Sequence, residues 1–132
     1  MLDVRANGAF RPRMVFAYVD SAHAAQCGRF FRRNGWEVHL VADGFQAQRL
    51  VEYVGSSILV LDTGLIEKGE EQTWRQWLQN QVGLKVVLLA ELCTEEAYQI
   101  QETFSAMALH SREDAVNALA ATLLGEPLAE AV

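Results

Sequence analysis

Ile58, Leu59, Val60 and Leu61 run without a polar interruption into the carboxylate of Asp62, and the chain then loosens through Thr63 and Gly64. A short run that is apolar at every position has no wet face, so it suits a strand covered on both sides, as parallel sheets require. An acid at the carboxyl end of such a strand stands where open α/β sheets place their chemistry. This stretch therefore predicts a buried central strand and marks Asp62 as the first candidate for function.

The rest of the chain repeats the theme. Met14 to Val19 is a second apolar strand, again followed by an acid, Asp20, with Ser21 as the expected N-cap of a helix reaching Asn34 and Gly35. Trp36 to Val41 alternates polar and apolar residues, which predicts an edge strand with one wet face. Asp43 and Gly44 are read as a turn before a helix marked by Ala47, Leu50, Val51 and Val54. A helix from about Glu71 to Gln81 carries Trp74 and Trp77 toward the core. Lys85 to Ala90 is a central strand, and Thr94 caps a helix with Ala97, Ile100 and Phe104 inward. Met107 to Leu109 forms a short fifth strand, followed by a helix from about Glu113 to Leu124. Strict alternation of five strands and five helices implies right-handed crossovers and an α/β fold, a five-stranded parallel sheet with helices on both faces in three layers. The domain is expected over residues 14–125, with a flexible extension over residues 1–13 and a tail over 126–132.

Composition narrows the function. A net charge of −6 over 132 residues offers nothing to offset nucleic-acid phosphates or an acidic membrane surface. No apolar run approaches the roughly 18 residues that a membrane span needs. Cys27 and Cys93 lack metal-ligand spacing and read as buried free thiols in a reducing cytoplasm. Glycine-rich phosphate loops do not occur, and His23 and His39 have no partners at ligand spacing. Arg29, Arg32 and Arg33 read as a solvated helix face.

With acids ending its first and third strands, the stretch from Met14 to about Leu124 resembles the receiver domain of bacterial response regulators. The resemblance implies a flavodoxin-like sheet of strand order 2-1-3-4-5, which would bring Asp20 and Asp62 into one crevice. It implies a signalling role in a two-component phosphorelay, with Asp62 as phosphoacceptor and no enzymatic activity beyond self-phosphorylation from a donor. Magnesium, a hard cation suited to oxygen ligands, would be held by Asp20, Asp62 and the backbone carbonyl of Gly64. A sensor histidine kinase, a phosphotransfer protein or another signalling protein would be the partner. A homodimer through helix four, strand five and helix five would use Gln99, Gln101, Glu102, Arg112 and Asn117.

The departures from the family pattern weigh as much as the matches. Ser21 replaces the second acid after strand one, and Ala90, followed by Glu91, replaces the Ser or Thr that binds a phosphoryl oxygen. His110 and Ser111 stand for the Lys-Pro pair, Met107 for the aromatic switch residue, and Ile66 for a frequent proline. His110 would supply positive charge only when protonated, which is partial at neutral pH. The residues thus support two readings: a phosphorylated receiver, and a pseudo-receiver that serves as an interaction or dimerisation module without phosphotransfer. A small flavodoxin-like enzyme or cofactor carrier shares the architecture and nothing more.

Overall fold

The structure, a computed structural model, describes residues 11–125. Residues 1–10 of the expected extension and the whole of the expected tail lie outside the described residues, and Arg13 already belongs to the first strand.

The five strands are β1 (Arg13–Ala17), β2 (Glu37–Val41), β3 (Ile58–Asp62), β4 (Lys85–Ala90) and β5 (Ala108–Ser111). They form one sheet in the order β2-β1-β3-β4-β5, every pairing parallel. The expected α/β architecture and strand order are therefore the observed ones. The helices are α1 (Ser21–Arg33), α2 (Gly44–Val54), α3 (Glu71–Gln79), α4 (Glu95–Phe104) and α5 (Ala115–Leu119), the last continued by a π-helical turn over Ala120–Leu124.

Side chains alternate across a strand, so each central strand feeds two cores. Met14, Phe16, Val60, Val87 and Leu89 pack with Phe31 of α1 and Leu119 of α5. Val15, Leu59, Leu61 and Leu88 pack on the other face with Val51, Trp74 and Phe104. All five residues of β3 are buried, as its unbroken apolar run requires. β2 and β5 lie at the edges and are only partly covered.

Helix starts differ from the sequence reading by small steps with a common cause. β1 stops at Ala17, so Asp20, not Ser21, is the N-cap of α1, its Oδ1 accepting from the amides of Ala22 and His23. Asp43 likewise caps α2 by accepting from the Gln46 amide at 2.8 Å, in place of the expected turn. Acids compete well with Ser for a cap, because both satisfy the orphan amides of the first turn. Thr94 caps α4 as expected. Cys27 is buried but Cys93 is exposed, and burial pushes the Cys27 thiol up to about 12. Among the described residues, no helix is long and apolar enough to cross a membrane.

Candidate functional site

Asp62 follows Val60 by two positions, so strand periodicity aims its side chain at the α1–α5 side of the sheet. Its exposure is 1 %, and among the described residues it is the one charged side chain in the buried class. A buried carboxylate without a partner is costly, so its contacts decide what it can do. Its Oδ1 accepts from the Gly64 amide at 2.9 Å, which closes the short turn over Thr63–Leu65. Both oxygens are then taken by one guanidinium. Arg112 donates from Nε to Oδ2 at 2.7 Å and from Nη2 to Oδ1 at 2.9 Å. This is a bidentate fork, the strongest and most directional form of such a pair.

Arg112 opens the turn between β5 and α5. The sequence reading ended strand five at Leu109 and set Arg112 on an outer contact face. β5 in fact runs to Ser111, so the residue leaving the strand end is Arg112 and its side chain is largely covered. The pairing with Asp62 raises the guanidinium's proton affinity, with smaller contributions from the charges of Glu91 and Asp20. Gly64 leaves the room the fork needs. A Cβ there would lie 3.0 Å from Val19, 3.2 Å from Asp62 Oδ1 and 3.5 Å from Arg112 Nη2.

His110, expected as the substitute for a lysine, is bonded elsewhere, and the cation on Asp62 is Arg112. His110 lies on the α5 side of β5, and its Nε2 is 2.8 Å from Thr122 Oγ1. Burial holds its imidazole below the ordinary 6.5, partly offset by Asp114. The folded state therefore binds fewer protons than the unfolded chain just below that value, and stability declines as pH falls from about 6.5 toward the lowered one. Urea unfolding at stepped pH should show this decline, and His110→Gln should flatten it.

Asp20 stands after β1, the neighbour of β3. Its carboxylate is held below its usual range chiefly by the His23 amide, and also by the Ala22 amide and the charges of His23 and Arg112. Beside the fork opens a cleft of about 570 Å³, with walls that include Gly64, Ala90, Thr94 and Arg112. Its charged walls are Lys68 and Arg112 against Glu71, Glu91 and Glu96. Asp62 itself is not among its walls.

No family model matches the chain, and no curated protein matches it either. Solved structures do. A DNA-binding response regulator of the LuxR family from Staphylococcus aureus superposes with a TM-score of 0.74 at 13 % identity, covering 86 % of this chain and 97 % of that one. A CheY-like response regulator receiver domain protein from Methanospirillum hungatei gives 0.70 at 14 % identity, over 87 % and 95 % of the two chains. The chain has the response regulator receiver fold. A response regulator from Burkholderia pseudomallei, solved with a phosphorylated aspartic acid, calcium ion and citrate, has the same fold, with a TM-score of 0.70 at 14 % identity over 86 % of this chain and 66 % of that one.

Within this receiver fold, the three oxygen ligands that the resemblance assigns to magnesium do not fit the ion. Asp62 gives both oxygens to Arg112, and Oδ1 of Asp20 accepts two helix amides. Arg112 Nη2 also stands beside Gly64, 3.5 Å from where a Cβ would lie on the residue whose carbonyl is the third expected ligand. Among the described residues, no group of three or more His, Cys, Asp and Glu side chains is placed to hold a metal.

The residues of the contact face expected on helix four, strand five and helix five are differently placed. Arg112 turns inward, and Asn117 lines a crevice with His23 and Gln26 of α1. Glu102 lies beside Gln72 and Arg75 of α3. Tyr98, Gln99 and Glu102 remain exposed on α4, and Gln101 is partly exposed.

Proposed function

We propose that this receiver-fold domain is a signalling module that acts through protein contacts and needs no phosphotransfer to Asp62. The observation that carries the reading is the two-point grip of Arg112 on a carboxylate that is 1 % exposed. Attack on a phosphoryl group needs a free carboxylate oxygen in line with the phosphorus. Here that would require breaking both charge-assisted bonds at a buried site. The cleft above adds three acids against two cations, a poor field for an anionic donor. No hydroxyl stands at Ala90 to bind a phosphoryl oxygen, so a phosphate would also lack its lever on the following loop. Another signalling protein, or a second copy through the exposed part of α4, is the proposed partner.

One observation favours the second reading, in which Asp62 accepts phosphate from a histidine kinase or phosphotransfer protein. Arg112 supplies a fixed cation close to where the family pattern has its lysine, and guanidinium binds phosphate well. Incubation with a small phosphodonor and magnesium, followed by intact mass measurement, separates the two. The proposed reading expects no adduct on the wild-type domain. A phosphate-sized gain that disappears in Asp62→Asn would overturn it in favour of the phosphoacceptor.

A further inference from the structure

The misfit between the magnesium ligands and the observed contacts has a direct structural cause. Arg112 Nη2 donates to Asp62 Oδ1, and it lies 3.5 Å from the point a Cβ on Gly64 would occupy. The guanidinium thus sits against two of the three residues expected to hold a divalent ion. The third, Asp20, also feels its charge, as does Glu91 at the end of β4. One cation among these carboxylates does the neutralising that a hard metal would otherwise do. It is tethered to the chain, so it is always present and independent of metal concentration.

We infer that the Arg112 guanidinium takes over the charge-neutralising role of a divalent cation at Asp62, so that the domain is magnesium-independent as built and gains a magnesium site when the guanidinium is removed. The donors are already in place for such a gain. Asp62 would be left with Oδ2 free and Oδ1 accepting only the Gly64 amide, and among the described residues Oδ2 of Asp20 has no neighbour closer than His23 at 3.6 Å. Magnesium needs few protein carboxylates, because it keeps several of its waters. Two acids at the ends of neighbouring strands are enough for a site of modest affinity.

This inference rests on the phosphate-independent reading, but its test is separate. Calorimetric titration of magnesium alone into the full chain should show no binding to the wild type. Arg112→Gln and Arg112→Ala should bind it at least about tenfold more tightly than the wild type does. The gain should vanish when Asp62→Asn is added. Magnesium should also raise the unfolding midpoint of the Arg112 variants and leave that of the wild type unmoved. If a variant does not fold alone, magnesium should restore its folded circular dichroism signal, because the buried carboxylate regains a cation. Equal magnesium binding by wild type and variants overturns the inference, as does the lack of any binding or rescue in the variants. A phosphate adduct on the wild type would instead overturn the function proposed above and leave this result standing.

Discussion

Arg112→Ala is expected to lower the unfolding free energy by about 3–5 kcal/mol, measured by urea denaturation in the presence of a metal chelator. The magnitude follows from what the substitution leaves behind, a carboxylate at 1 % exposure with one remaining donor, the Gly64 amide. It does not measure the net worth of the ion pair, since replacing both partners with apolar residues is often neutral. Arg112→Lys should recover part of the loss. An ammonium restores the charge but cannot span both oxygens as the planar fork does. Asp62→Asn should cost less than Arg112→Ala, because the Arg112 side chain is 18 % exposed and can hydrate when its partner is gone. The order of the three variants therefore reports which partner is trapped in the dry interior.

Trp74→Ala should cost a comparable amount, about 3–5 kcal/mol, by a different route. Trp74 is 3 % exposed. Its ring stacks on Phe104 at 6.5 Å and meets the edge of Trp77 at 5.7 Å. It also fills the space beside Gly44, where an added Cβ would lie 2.9 Å from the indole. Alanine would empty a volume shared by α2, α3 and α4, and these helices cannot collapse onto a sheet that is itself fully packed. Trp77 makes a useful contrast, since its Nε1 donates to Glu52 at 2.7 Å in an exposed setting. Trp77→Phe should lose no more than about 1 kcal/mol. Neither tryptophan variant should alter the response to magnesium, because both lie on the opposite side of the sheet from the fork.

The architecture was legible because each element carries its own signal. The unbroken Ile58–Leu61 run reads as a doubly covered strand, and the alternation of β2 reads as an edge. Strand order came from the receiver resemblance, since periodicity says which face is buried and not which strand is the neighbour. The site was legible at Asp62 and illegible at Arg112. β5 is a four-residue edge strand with no fully buried position, so hydrophobic pattern marks its end poorly. Ending it at Leu109 brought His110 forward as the cation and sent Arg112 to the surface. A two-residue extension reverses both assignments, because side chains two positions apart share a face. Asp20 was ambiguous for another reason. The same carboxylate can cap a helix or bind a metal, and only the positions of the Ala22 and His23 amides distinguish the roles.

The central claim is that Arg112 holds the charge of Asp62, and a double-mutant cycle over Asp62→Asn and Arg112→Met tests it most directly. Unfolding free energies of the four proteins would be measured in urea with chelator, so that no metal replaces the lost cation. A coupling energy of about 2–3 kcal/mol is predicted, with the double variant little worse than the milder single one. Single effects that add to within about 0.5 kcal/mol would contradict the claim, for they would mean that the two residues do not hold one another.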